Sequence, residues 1–338
     1  MYDIDGATGG GSILRIALPI ALAKQEDIKL TNIRKSRSKP GLRPQHLRGI
    51  ELLCELTGSI LDGGEVGSTT INITAGQKVQ QSAAEIDIAT AGSISLVYQM
   101  LSNYCMVANT SVDIVFRGGG THTKWAPNAD YLKQVTIPAL ELFGQQGKIT
   151  THRVGYYPKG GANGLISIKQ ADQPGRVQLD TVEGRAPIRV ISRASNHLQN
   201  AKVAERQLQG LLNHGISPTE NWIYYDESDS VGSVITAWIV EPSKMYRGFS
   251  QLGKQGVKAE TIGQQLANLI TSYQEPAAVD EYLADQLMVA LSQSESGAYY
   301  SMPKITNHIT SNLNLINSIL EDNLALQDHG EYYLLQKL

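Results

Sequence analysis

Cysteine is nearly absent from this 338-residue chain: there are two, Cys54 and Cys105, and they form no C-x-x-C pair. Each lies in an apolar helical pattern, which predicts buried thiols in a reducing compartment rather than a disulfide or a metal site. Charge of one sign is also lacking. The net value is −3 at pH 7, so no global field draws in nucleic acid, and any such binding must use a local patch. No apolar run approaches the roughly 20 residues that a membrane span needs. The opening MYDIDGATGG has neither a basic region nor an apolar core, so no secretory signal is expected there. A cytoplasmic protein without a membrane partner is the expectation.

The common catalytic signatures are missing too. There is no G-x-x-x-x-G-K-[ST], so a P-loop is excluded, and no H-E-x-x-H or G-x-S-x-G. GATGGGS is not a dinucleotide fingerprint, because Leu14 stands where G-x-G-x-x-G needs its last glycine. Seven histidines are scattered without ligand spacing.

What is present supports a large globular core. Hydrophobic residues make up 41% and charged residues 18%, and the length fits about two domains of roughly 100–200 residues. Strand and helix patterns alternate. TTINIT (69–74) and VDIVF (112–116) have the period of two of half-buried strands. Residues 43–57 put Leu47, Ile50, Leu53 and Cys54 on one helical face, and further helices are predicted at about 93–107, 129–143, 201–213, 259–273 and 278–292. Glycine-rich turns, GATGGGS, RGGGT and PKGGANG, punctuate them. A strand–helix–strand–helix–strand–strand order recurs without a residue-by-residue repeat. A composition shift near 175–190 opens a unit reading strand, helix, strand, strand through 240. This predicts a small α/β domain at 183–258, inserted into a larger one spanning 1–182 and 259–338.

Three stretches carry chemistry. Residues 34–48 hold Arg34, Lys35, Arg37, Lys39, Arg43 and Arg48 with no acid among them, which is either a phosphate-tracking strip or a solvated loop. DEYLADQL (280–287) sets Asp280, Glu281 and Asp285 on a helix, where a wet face is the plain reading. In ITNHITSNLNLINSIL (305–320), Ile309, Leu313, Ile316 and Leu320 recur at helical spacing, and Thr310 and Ser311 can each cap the first turn. His308 then lies at a helix N-terminus, where phosphate oxygens are attracted. From these residues alone it is either a buried spacer or a nucleophile.

Together with IDGATGGGSILR (4–15), ATAGSISLVYQ (89–99), GGTHTKWAPNADYL (119–132) and GYYPKGG (155–161), these stretches resemble the RNA 3′-terminal phosphate cyclase family, nearly end to end. The resemblance implies a mixed α/β fold of three repeats, each a four-stranded sheet with two helices, plus an inserted thioredoxin-like domain. It implies ATP-dependent conversion of an RNA 3′-phosphate to a 2′,3′-cyclic phosphodiester, through a histidyl-AMP and an RNA-adenylate. Carried over by position, His308 is the nucleophile and Asp285 the essential carboxylate, which orients the imidazole or holds a divalent metal, magnesium or manganese. Gln99 and the run Tyr282, Leu283, Ala284, Asp285 and Gln286 fall on ATP-binding positions, with the Tyr282 ring stacking on adenine. Arg15, Arg34, Arg37 and His46 fall near the phosphates and the RNA end.

The glycine loop departs from the family pattern D-G-A-x-G-E-G-G-G-x-I-L. It is two residues shorter and lacks the glutamate that helps place the metal, so a metal is expected to bind mainly through ATP and Asp285. A second reading is a non-catalytic cyclase-like protein of RNA binding or ribosome assembly, which the retained His308 and Asp285 speak against. An enolpyruvyl transferase of related fold is a third, and its motifs are not found. No redox chemistry is expected of the insert.

Overall fold

The structure, a computed structural model, describes all residues except 8, 78–81, 171–174, 183–185, 242–243, 274–275 and 322–323. The first unit runs β1 (Tyr2–Asp5), α1 (Ser12–Ala23), β2 (Ile28–Thr31), α2 (Pro44–Thr57), β3 (Ile60–Asp62) and β4 (Ile71–Thr74). Its sheet has the order β1-β2-β4-β3, with β1 and β2 parallel and the other pairs antiparallel. In β4 alternate residues are buried, as its period of two requires. All of α1 is buried except Arg15, so this helix is central to the core and aims one cation at a less buried place.

The second unit repeats the topology with β5 (Ala83–Ser93), α3 (Ile94–Ala108), β6 (Val112–Gly120), α4 (Ala129–Tyr131), a π turn (Leu132–Thr136), α5 (Ile137–Glu141), β7 (Gln145–Arg153) and β8 (Asn163–Gln170). The sheet order is β5-β6-β8-β7. The helix expected over 129–143 is thus interrupted. Ile137 N–H reaches back five residues to the Leu132 carbonyl, and the next residue, Pro138, has no N–H with which to resume the α ladder there.

A third unit starts at β9 (Gln178–Leu179) and is split by an insert: β10 (Arg189–Ser195), α6 (Val203–Leu212), β11 (Glu220–Asp226), β12 (Ser233–Glu241), β13 (Met245–Leu252) and α7 (Ala259–Ser272). The insert sheet, β11-β10-β12-β13, follows the thioredoxin-like order. Helix α7, expected with the large domain, packs here instead: Ile262, Leu266, Ala267 and Ile270 share a core with Val190, Leu208, Ile235 and Phe249. Periodicity shows that a helix has an apolar face without saying which sheet that face covers. The expected junction at 183 lies outside the described residues.

The third unit resumes with α8 (Glu281–Gln286), α9 (Met288–Ser292), β14 (Tyr299–Met302), α10 (Asn307–Leu320), β15 (Leu324–Asp328) and β16 (Tyr333–Lys337), in the order β15-β16-β14-β9. Among the described residues there are therefore three sheets of one topology and a fourth in the insert. One hydrophobic core joins the three repeats. Both cysteines are free and buried within it, and burial pushes the Cys54 thiol up to about 12. No helix among the described residues is long and apolar enough to cross a membrane.

The insert is fastened to the second repeat. Arg193 on β10 bonds Asp130 at 3.2 Å and Asp226 at 2.7 Å; burial opposes its charge, but the two carboxylates hold its pKa above the ordinary range. Asp280 joins three units at once. Its carboxylate caps α8 by accepting from Tyr282 N–H and Leu283 N–H, and it also accepts from Tyr131 hydroxyl and from Gly248 N–H on β13. Burial pushes Asp280 up to about 6 against those four donors. Asp280 is thus a buried cap and not part of a wet face.

Candidate active site

The site forms where three repeats meet. Helix α10 is capped by Thr306, whose side chain accepts from Ile309 N–H at 3.2 Å. The expected caps, Thr310 and Ser311, are the fourth and fifth helical residues and bond the Thr306 and His308 carbonyls instead, because the helix starts at Asn307, four residues before a cap at Thr310 would start it. His308 is the second helical residue. Its Nδ1 lies 3.2 Å from Asp285 Oδ2 on α8, with 41% and 20% of the two side chains exposed. An imidazole that donates from Nδ1 to a carboxylate keeps its lone pair on Nε2.

The glycine loop passes beside this pair. A Cβ on Gly9 would lie 3.5 Å from Ser311 Oγ, one turn along α10 from His308. Gly10 has φ +61°, a backbone that favours glycine, and a Cβ there would meet the Arg37 guanidinium at 3.3 Å. A Cβ on Gly11 would lie 3.1 Å from His46 Nε2 and 3.4 Å from Arg15 Nη1. The loop is therefore hemmed by Arg37, His46, Arg15 and the start of α10.

Arg15 connects the parts. Its Nε donates to Gln99 Oε1 on α3 at 2.8 Å and its Nη1 to the Gly11 carbonyl at 3.0 Å. Burial lowers its pKa, and the Asp285 carboxylate offsets part of that shift. His46 accepts from Arg43 N–H on Nδ1 at 3.2 Å, which leaves its proton on Nε2, beside Gly11. Burial, then the charges of Arg34, Arg15 and Arg43, push it down to about 3. It is a neutral donor at physiological pH.

Not every expected residue reaches this centre. Tyr282 does present its ring, 61% exposed, one turn before Asp285. Leu283 and Ala284 are fully buried, and their backbone N–H groups go to the Asp280 side chain and carbonyl. Gln286 is buried between the Thr136 hydroxyl and the Tyr282 carbonyl. Arg34, at φ +55°, bonds the Lys39 and Gly41 carbonyls and so braces its own loop. Arg48 turns away to Glu51 and the Asp87 carbonyl. The basic strip thus divides, and Arg37 is the member beside the glycine loop. Sequence reasoning put Asp280 on a wet face and passed over Gln45, whose side chain accepts from Ser93 N–H, and Asn103, whose Nδ2 donates to the Arg15 carbonyl. An Asp just before E-Y-L is a cap signal that identifies the first; the other two carry no local signal.

A sequence model of the RNA 3′-terminal phosphate cyclase family matches residues 7–326. Curated proteins named RNA 3′-terminal phosphate cyclase are similar along nearly the whole chain. The one from Archaeoglobus fulgidus is 34% identical over 329 residues, 95% of this chain and 96% of its own. That from Methanosarcina barkeri is 33% identical over 330 residues, 95% of each. That from Pyrococcus furiosus is 33% identical over 348 aligned positions, covering 100% of this chain and 99% of its own. With the repeated sheets and the insert, these matches place the chain in the RNA 3′-terminal phosphate cyclase family.

Proposed function

We propose that this protein uses ATP to convert an RNA 3′-terminal phosphate into a 2′,3′-cyclic phosphodiester. The observation that carries the reading is the His308–Asp285 pair at 3.2 Å, in the first turn of α10 beside a cation-flanked glycine loop. Asp285 holds the imidazole in the tautomer with its lone pair on Nε2. That nitrogen attacks the α-phosphorus of ATP, the bond to the bridging oxygen breaks, and pyrophosphate leaves a histidyl-AMP. An oxygen of the RNA 3′-phosphate then attacks the same phosphorus and frees the imidazole. Finally the neighbouring 2′-OH attacks the RNA phosphorus, AMP leaves, and the hydroxyl proton passes to solvent.

The surrounding side chains suit these steps. The exposed Tyr282 ring offers a face for adenine, and Gln99, whose carbonyl fixes Arg15, has an amide NH₂ for the adenylate. Arg15, Arg37 and the His46 Nε2–H converge on the loop as donors for phosphate oxygens. Among the described residues no three His, Cys, Asp or Glu side chains form a metal cage. Asp285 would hold a magnesium or manganese ion together with water and substrate phosphates, and the ion would neutralise phosphate charge.

The test is transfer of label from α-phosphate-labelled ATP to the protein without RNA. An acid-labile, alkali-stable adduct mapping to His308 and lost in His308→Ala is expected, as is cyclisation of 3′-phosphate but not 3′-hydroxyl RNA. Protein-bound AMP persisting in His308→Ala would overturn the assignment.

A further inference from the structure

Two stretches that the catalytic site leaves unused lie side by side. Residues 121–128 connect β6 to α4, and residues 154–162 connect β7 to β8. Thr121 and His122 N–H both donate to the Gly155 carbonyl, at 3.0 and 3.2 Å, and Gly155 N–H donates to Thr121 Oγ1 at 3.1 Å. The buried His122 and Tyr156 rings stack at 5.4 Å beneath them. The two loops form one stiff unit.

This unit presents two aromatic rings to solvent. Trp125 is 97% exposed and Tyr157 77%. Trp222 and Trp238 stack on each other elsewhere, so among the described residues Trp125 alone of the tryptophans stands wholly in solvent. Its φ is +67°, a left-handed backbone unfavourable for a bulky side chain. Strain of that kind persists where surrounding contacts impose it and concentrates at functional positions. Beside the two rings, Lys124 and Lys159 are exposed. Aromatic faces interleaved with cations are the elements of a single-strand nucleic-acid platform, since every base has a face to stack and every linkage a negative charge.

The position is also right. The Pro127 carbonyl accepts from Ser95 Oγ at 2.5 Å, on the first turn of α3. Gln99 is one turn further, about 6 Å along the helix. Ser93 N–H donates to Gln45, the neighbour of His46, at 3.4 Å. Loop 121–128 is thus anchored to α3, and the residue before α3 is bonded to α2, the helix that carries His46.

We propose that the loops 121–128 and 154–162 hold the RNA strand 5′ of its terminal phosphate, with Trp125 and Tyr157 stacking on bases and Lys124 and Lys159 meeting the connecting phosphates. This rests on the reading of the chain as an RNA-end enzyme and adds where the strand runs.

The test is direct binding of a 3′-phosphorylated decaribonucleotide by fluorescence anisotropy, with RNA-free self-adenylylation as a separate readout. Trp125→Ala and Tyr157→Ala should each raise Kd at least fivefold, Trp125→Phe should restore most of the affinity, and self-adenylylation should not change. Replacing both lysines by glutamine should flatten the salt dependence of Kd. Trp125→Gly should lose RNA affinity with an equal or higher Tm, because glycine accepts the left-handed backbone. A ribonucleoside 3′-monophosphate, which has no 5′ neighbour, should bind Trp125→Ala and the unaltered protein alike. Unchanged decamer affinity in Trp125→Ala overturns the proposal, and so does absence of decamer binding by the unaltered protein. If decamer binding behaves as expected but ATP leaves no protein-bound AMP, the platform stands and the cyclase mechanism falls.

Discussion

Asn103 on α3 donates from Nδ2 to the Arg15 carbonyl on α1 at 2.8 Å. That carbonyl is the one that Pro19, four residues on within α1, cannot serve, because proline has no N–H. One side chain thus repairs a gap in a buried helix and ties it to its neighbour next to the site's central arginine. Asn103→Ala should destabilise the protein by about 1–3 kcal/mol, the cost of a buried unsatisfied acceptor. Pro19→Ala supplies the missing N–H, so the double variant should recover part of that loss. Strictly additive losses in denaturant unfolding would show that the bond does not compensate for Pro19.

Asp285 Oδ2 lies 3.2 Å from His308 Nδ1, and no other described side chain hydrogen-bonds this carboxylate. Asp285→Asn keeps the shape but can turn an NH₂ toward Nδ1, which favours the tautomer with the proton on Nε2. Self-adenylylation should fall at least 100-fold, with little change in Tm. Near-normal labelling in that variant would leave the orienting role without support.

Much of the fold was legible in the sequence. The period of two in β4 and the helices α2, α6 and α7 appear within about two residues of where the patterns place them, and β6 starts where expected but runs four residues further, to Gly120. Helix α7 shows the limit: its apolar stripe was evident, yet its partner sheet depends on the path of the whole insert. The candidate site divides in the same way. His308 lies within hydrogen-bond distance of Asp285, and Arg15, which feels the Asp285 charge, bonds Gln99. The run 282–286 does not present its side chains as a block, because a helix points successive side chains in different directions and, of these five, Tyr282 and Asp285 are the ones not buried. Asn103 was invisible, since its role is set by a proline on another helix.

His46 makes stability depend on pH in a definite direction. Burial, with Arg34, Arg15 and Arg43 nearby, pushes it down to about 3, against about 6.5 in an unfolded chain. Between these values the unfolded state binds more protons, so stability is fully present above pH 6.5 and falls as pH drops toward 3. At pH 5 the His46 contribution amounts to about 2 kcal/mol lost. His46→Asn offers an oxygen near the Nδ1 position to Arg43 N–H without titrating. It should lose about 2 kcal/mol less than the unaltered protein between pH 7.5 and 5 in urea unfolding. Parallel losses in the two proteins would place the His46 pKa near its ordinary value.

Arg34 and Arg37 look equivalent in the sequence, and the structure separates them. Arg34 holds two carbonyls of its own loop, at 3.0 and 2.9 Å, and sits at φ +55°. Arg37 is exposed, and its guanidinium reaches the space over Gly10. Removing Arg34 should therefore loosen the loop and lower stability by roughly 1–2 kcal/mol, the scale of two charge-assisted bonds that are partly open to water. Removing Arg37 should leave the melting curve unchanged. Its effect should appear in phosphate handling: a guanidinium that meets a phosphate by charge-assisted hydrogen bonds contributes about 1.5–3 kcal/mol, or roughly 10- to 150-fold in kcat/KM for ATP or RNA. Arg37→Lys keeps the charge but not the planar fork, so it should restore only part of that loss. The comparison is decisive because the two variants remove the same side chain from one loop. If Arg37→Ala destabilised the protein as much as Arg34→Ala while leaving both titrations unchanged, the basic strip would be a structural loop, and the phosphates would have to be held by Arg15 and His46 alone.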